Sequence, residues 1–304
     1  MFQHNSKTKL ILIRVNNRNI MRSIKKIHKA EYRPIADLIT YSPMPTQDLQ
    51  MIDPFLFLNH HGPQKYTPNN NGLPFGPHPH QGMETVTFIL EGDIAHKDSN
   101  GHKSIIQSGG LQWMTAGSGL IHTEVSSDNF KKHGGNLEIL QLWLNLPAKL
   151  KMTKPQYKGF QEDEIPKISL DEGKITAQVV SGNFSGTKGA FQTLTNINLT
   201  TLFFKETGKL ALTVPKENNI FFYVIKGELL VNKKQIKALN LAEFENDAEN
   251  LSIEAQTDSI LLFGHAASFN EPVVARGPFV MNSMDEINQA YKDYEAGKFG
   301  VWKE

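Results

Sequence analysis

His78-Pro79-His80 and, farther along the chain, His122-Thr123-Glu124 place four strong metal ligands in two i, i+2 pairs. Alternate residues of a β-strand point to the same face, so each pair can aim both side chains into one cavity. Two such strands side by side give a pocket of three imidazoles and one carboxylate, a redox-metal or Lewis-acid site. The chain has no cysteine, which removes the sulfur donors that closed structural zinc sites commonly use. On a six-coordinate ion this set is one donor richer than the facial triad of non-haem iron oxygenases and still leaves two positions open. Those positions suit a chelating substrate, or one substrate oxygen together with O₂. Fe(II) is the first choice, with zinc, copper, nickel and manganese left open, because geometry and metal supply decide more than raw affinity.

Either pair alone is a weak signal, and the joint pattern is the stronger one. Both are preceded by turn residues, Gly76-Pro77 and Gly117 with Gly119. Of eleven histidines, ten fall in residues 1–133 and only His265 lies in the second half. Glu84 competes with Glu124 as the carboxylate ligand, since it follows His80 by an even number of residues and shares its face on a regular strand. His60 and His61 are expected in a solvated loop. His96 and His102 flank a hairpin turn at Asp98-Ser99-Asn100-Gly101 and are expected at the surface. Gly117-Ser118-Gly119 completes no nucleotide-binding pattern, and there is no G-x-S-x-G nucleophile elbow.

The elements that must position these ligands are strands. Short β-type runs separated by Gly, Pro and Asn signal an all-β sandwich or barrel; they include residues 84–90, 104–107, 137–146, 174–180, 200–205, 220–225 and 259–263. A long loop is expected over 59–77, leading into His78. Phe222-Tyr223-Val224-Ile225-Lys226-Gly227 echoes Phe88-Ile89-Leu90-Glu91-Gly92, which suggests two copies of one fold. Residues 149–167, rich in Lys, Pro and Glu, read as a linker. Ser283-Met284-Asp285-Glu286 is a capping box that opens a C-terminal helix, with Ile287, Tyr291 and Tyr294 at helical spacing and Gly297 at its end. The division is a basic extension at 1–29, a metal-binding domain at 30–164 and a metal-free domain with the helix at 165–304. The second interior should be filled by Leu202, Phe204, Phe222, Val224, Leu261 and Phe263.

A formal charge of +1 conceals an asymmetry. Residues 1–29 carry eight Lys/Arg and no acid, which leaves 24 basic against 31 acidic groups in the remainder. An acidic body argues against direct nucleic-acid binding. No stretch approaches the roughly 18 apolar residues of a membrane span. The apolar run Leu10–Ile13 is too short for a secretory signal, and the leader has less serine than an organellar transit peptide usually carries. A plain basic extension, with Met21 as an alternative start, and a cytoplasmic protein are expected.

The segments His78-Pro79-His80-Gln81-Gly82-Met83-Glu84, Leu111-Gln112-Trp113-Met114-Thr115-Ala116-Gly117 and Ile121-His122-Thr123-Glu124 resemble the signature of pirins. So do Asp53-Pro54-Phe55-Leu56, Gln141-Leu142-Trp143-Leu144-Asn145-Leu146-Pro147 and Gly277-Pro278-Phe279-Val280-Met281-Asn282. The resemblance spans residues 30–300. It implies a bicupin, two double-stranded β-helix barrels in one chain, with iron in the N-terminal cupin held by His78, His80, His122 and Glu124. Other cupins use the glutamate at the position of Glu84, a role that pirins move to Glu124. The resemblance also implies quercetin 2,3-dioxygenase activity on a small aromatic, flavonol-like substrate with O₂ and release of carbon monoxide. Glu124 would then serve as the catalytic base. The alternative is a non-enzymatic, iron-dependent regulator that binds a transcription factor or a metabolic enzyme. Asn59-His60-His61-Gly62 stands where many pirins have an acidic pair.

Overall fold

Apolar and β-branched runs bounded by glycine become antiparallel strands throughout. The seven expected runs form Met83–Glu91, Lys103–Gln107, Gly135–Asn145, Ile175–Ser181, Asn198–Phe204, Asn218–Lys226 and Ser259–Ala267. The computed structural model describes residues 20–302, so Lys7, Lys9, Arg14 and Arg18 of the basic extension lie outside the described residues. Within it the strands build two units of one plan, each pairing a seven-stranded sheet with a four-stranded one.

In the N-terminal unit the four-stranded sheet runs Phe75–His80, Leu120–Val125, Asp93–Asp98, Lys103–Gln107. The seven-stranded sheet that faces it is centred on Leu111–Thr115, Met83–Glu91 and Gly135–Asn145. Apolar side chains including Ile89, Ile94, Ile106, Phe130, Leu137 and Ile139 fill one end of this interior. The other end is left to polar groups. In the C-terminal unit the interior is apolar: Leu202, Phe204, Phe222, Val224, Leu261 and Phe263 all join one buried cluster, as expected from their alternation.

The two units share a core. Val86, Phe88, Trp113 and Leu142 of the first meet Val180, Phe191, Phe221 and Tyr223 of the second in one cluster. Trp113 stacks on Phe191 with centroids 4.4 Å apart. His60 was expected in a solvated loop, but its side chain lies in this junction, hydrogen-bonded to Tyr223 Oη and Glu138, each at 2.9 Å. The expected loop at 59–77 is mostly strand: Phe55–Tyr66 runs through Gly62-Pro63, which the sheet absorbs as a register shift opposite Leu137–Ile139. Gly62 has φ +88°, and a Cβ there would meet Leu137 O at 2.3 Å. His61 is buried as well, its Nδ1 2.9 Å from Thr40 Oγ1.

Sheet membership does not follow chain order. Ile24–Lys29, at the end of the basic extension, pairs with Asn240–Phe244 and closes the edge of the C-terminal unit's large sheet. The interdomain segment contributes Gln156–Phe160 as a further strand beside Leu111–Thr115. In the other direction, Phe279–Met281 and the capped helix Met284–Glu295 pack on the N-terminal unit: Phe279, Met281, Ile287, Ala290 and Phe299 cluster with Ile121. The inward stripe is Ile287 with Ala290, while Tyr291 meets Phe279 edge-on. Lys151 Nζ, fully buried, donates to Gly82 O, Asn145 Oδ1 and Val280 O and ties this returning segment down. No helix among the described residues is long and apolar enough to cross a membrane.

Phe222 is fully buried and packs edge-on against Phe244 and Phe263. Phe222→Ala should therefore lower stability by about 3–5 kcal/mol, the range for truncating a core aromatic. The expected observation is a lower urea midpoint with an unchanged m-value.

Candidate metal centre

Cross-strand pairing puts the histidines together. In the antiparallel pair of Phe75–His80 with Leu120–Val125, His78 sits directly opposite His122 and His80 opposite Leu120. Directly opposed residues share a face. One ring nitrogen from each of His78, His80 and His122 lies within 4.8 Å of the other two, the one such group found among the described residues. His80 and His122 are buried and His78 is half-exposed at the mouth, beside Phe75, Gly76 and Pro77.

The donor set fits a divalent transition ion. Burial, reinforced by the neighbouring His78, lowers the His80 pKa to about 3, and burial with His80, His78 and His96 nearby holds His122 well below its usual value. Both imidazoles are therefore neutral at physiological pH, the form in which a histidine can accept a metal ion. His78 Nδ1 faces Gly76 O at 2.7 Å and His80 Nδ1 faces Pro278 O at 3.2 Å. A carbonyl at Nδ1 holds the proton there and leaves the Nε2 lone pair free for a metal. His80 Nε2 and both ring nitrogens of His122 are buried with no hydrogen-bond partner in the protein, a costly state unless an ion or another group meets them.

Glu124 stands beside the trio rather than inside it. Its Oε2 lies 3.9 Å from His122 Nε2. Oε1 accepts hydrogen bonds from Thr87 Oγ1 at 2.7 Å and from Gln112 Nε2, and Oε2 accepts from Gln141 Nε2. A carboxylate offers about four lone-pair positions. Three are taken by donors of the seven-stranded sheet, and the fourth belongs to the oxygen nearest His122.

Glu84 does not join this cluster. Gly82, at φ +78°, ends one strand before the next begins at Met83, so the parity counted from His80 is lost. A Cβ at Gly82 would meet Val280 O at 2.1 Å. Glu84 consequently shares its face with Val86 and Phe88 on the side of the interunit core, where Thr115 Oγ1 donates to it at 2.6 Å. Burial lifts its carboxyl to about 7, opposed by the hydrogen bond from Thr115.

Other side chains converge here that the sequence reading did not single out. His96 was expected at the surface, yet it is buried, lies opposite Glu124, and stacks on Tyr157 with centroids 3.7 Å apart. Its Nε2 is 3.3 Å from Asp98 Oδ2, which also accepts from the partly exposed His102 at 2.9 Å. Alternation with Ile94 along Asp93–Asp98 was the available signal for His96. Tyr157 comes from the segment read as a linker. Trp143 meets His80 edge-on at 5.2 Å and stacks on Phe57 at 4.5 Å. Gln141-x-Trp143 is a third i, i+2 pair facing the pocket.

The titration of Glu84 gives a test of its separateness. The unfolded chain releases this proton near 4.5 and the folded chain near 7. Between those values the folded state binds more protons, so this contribution to stability is lost as pH rises through the window. Glu84→Gln should gain on the parent as pH rises from 4.5 to 7.5, by about 3 kcal/mol at most. Urea unfolding at several pH values reads the gap, and metal content should be unchanged. A gap independent of pH would contradict the assignment.

Comparison with known proteins matches the same regions. The Pirin family model covers residues 37–144 and the Pirin C-terminal cupin domain model covers residues 200–300. A Pseudomonas aeruginosa protein provisionally named quercetin 2,3-dioxygenase is 35% identical over 266 residues, 88% of this chain and 92% of that protein. Pirin of Rattus norvegicus is 35% identical over 269 residues, 84% and 87% of the two chains. The crystal structure of a quercetin 2,3-dioxygenase from Acinetobacter baumannii superposes with a TM-score of 0.86 at 33% identity, over 93% of this chain and 99% of that one. With both cupin domains matched and relatives at this identity along most of its length, the chain belongs to the pirin family.

Proposed function

We propose that the protein is a non-haem Fe(II) dioxygenase that opens a flavonol such as quercetin with release of carbon monoxide. The observation that carries this reading is the convergence of His78, His80 and His122 beside Glu124 at the half-open end of the N-terminal interior. His78, His80, His122 and Glu124 are the proposed ligands. Residues 30–164 form the catalytic domain and residues 165–304 carry no metal. The apolar interior of the C-terminal unit supports that division, as does the engagement of His265 Nδ1 by Asn218 at 2.9 Å.

When bound, a ferrous ion supplies a Lewis acid for the flavonol oxygens and the redox partner for O₂. The chain's own residues do the rest. Glu124, fixed by Thr87, Gln112 and Gln141, takes the proton from the flavonol 3-hydroxyl. Phe57 and Trp143, both partly exposed, offer a flat apolar wall for an aromatic substrate beside His80. The balance is simple: two oxygen atoms enter from O₂, one carbon leaves as carbon monoxide, and the remaining skeleton is an ester of two phenolic fragments.

Glu124→Gln keeps the size and an oxygen donor while removing the base. It should depress flavonol turnover by about 100-fold or more, as loss of a general base does, and reduce metal content far less. His78→Ala should lose metal and activity together. Aerobic turnover of a flavonol panel by Fe(II)-restored protein, with O₂ uptake and carbon monoxide release followed together, checks both. Metal-replete protein that consumes no O₂ with any flavonol sinks the enzyme reading. The iron-dependent regulator with a protein partner then becomes the better account.

A further inference from the structure

We infer that Trp143 is a positioning residue for Glu124, acting through the side-chain amide of Gln141, and that Tyr157 acts in the same way through Gln112. The inference rests on the reading of Glu124 as metal ligand and base. Each glutamine donates its NH₂ to one carboxylate oxygen, Gln112 to Oε1 and Gln141 to Oε2. Each also has its carbonyl oxygen held by an aromatic donor: Trp143 Nε1 reaches Gln141 Oε1 at 3.2 Å, and Tyr157 Oη reaches Gln112 Oε1 at 3.0 Å.

The chemistry makes the first of these a lock. A glutamine amide presents a donor at one end and an acceptor at the other, and free rotation can exchange them. An indole N–H can only donate and a carboxylate can only accept. Gln141 between Trp143 and Glu124 therefore has one satisfactory orientation, with NH₂ toward the carboxylate. Gln141 is itself half-exposed, so without the indole nothing buried would hold its carbonyl end. A swung amide would leave Oε2, the oxygen nearest His122, without a protein donor and with its direction unfixed.

The second lock is weaker. A phenol can accept as well as donate, and Ser104 Oγ lies 2.5 Å from Tyr157 Oη as a further partner. Oε1 also keeps Thr87 as an independent donor. Loss of the tyrosine hydroxyl should therefore disturb Glu124 less than loss of the indole N–H. The stack of Tyr157 on His96 is geometric support that phenylalanine retains.

The test uses full-length protein and Co(II) as the probe. Affinity is read by competition with a chromophoric chelator, and the visible Co(II) bands are recorded in parallel. The variants are Trp143→Phe, Tyr157→Phe, Gln141→Leu and Trp143→Phe combined with Gln141→Leu, with Glu124→Ala as the reference. Trp143→Phe keeps an aromatic ring against Phe57 and His80 while removing the donor along with part of the indole surface, and the Gln141→Leu background separates the two losses. It should weaken Co(II) binding by about tenfold, the lower end of what partners of metal ligands cost, and should shift the Co(II) bands. Tyr157→Phe should weaken it less. In the Gln141→Leu background, adding Trp143→Phe should cost no more than about twofold, because the lock has nothing left to hold. The same loss persisting undiminished in that background would show action by packing and overturn the inference. So would a Trp143→Phe protein matching its parent while Glu124→Ala binds poorly. If Glu124→Ala itself binds Co(II) like the parent, the ligand reading fails, and the inference falls with it.

Discussion

A carboxylate buried between two sheets is the constraint around which the N-terminal unit is organised. Glu124 is 1% exposed, and an ionised carboxylate in such a place costs several kcal/mol unless it is hydrogen-bonded and paired. The cost is offset by hydrogen bonds from the facing sheet. The seven-stranded sheet sends Thr87, Gln112 and Gln141, one donor from each of three neighbouring strands. The four-stranded sheet, to which Glu124 itself belongs, sets the neutral histidines beside it, with His122 Nε2 3.9 Å from Oε2. Both sheets must hold register for the contacts to coexist. A slip of one residue in either would turn every one of these side chains to the other face.

The same demand explains why duplicated units have unlike interiors. One plan of strands builds both, but the C-terminal interior closes with Phe204, Phe222 and Phe263 where the N-terminal one keeps imidazoles, amides and a carboxylate. An aromatic interior needs only volume and shape. A polar one needs every donor matched, and the matching draws on distant parts of the chain. Tyr157 arrives from the interdomain segment, and the carbonyl of Pro278 that faces His80 arrives from beyond the second unit. Ile24–Lys29 makes the reverse journey into the C-terminal unit's sheet. Neither unit is complete without segments that chain order assigns to the other.

The two glutamates show how a small backbone feature decides chemistry. Glu84 and Glu124 are both buried, and on a regular strand both could face the histidines. Gly82, in a left-handed conformation and pressed against Val280 O, breaks the strand between His80 and Met83. Beyond it Glu84 sits among the apolar groups of the interunit core, where burial pushes it toward its neutral form. Glu124 follows His122 with no such break along Leu120–Val125 and stays in the pocket.

Local patterning alone determined a good deal. Period-two alternation marked the strands, because a pleated strand with one buried face must write that face at every second residue. The pairing of His78 with His80 and of His122 with Glu124 on shared strand faces and the capped helix were legible for the same reason: each is a relation between near neighbours. The tertiary structure decided the rest. His60, His61 and His96 look like loop or turn residues by their Gly, Pro and Asn surroundings, and only sheet pairing shows them buried. Gly62-Pro63 reads as punctuation, yet the sheet carries it as an irregularity inside a strand. The partners of Glu124 lie on strands of a different sheet. No spacing in the sequence encodes which glutamine will meet which carboxylate once two sheets pack face to face.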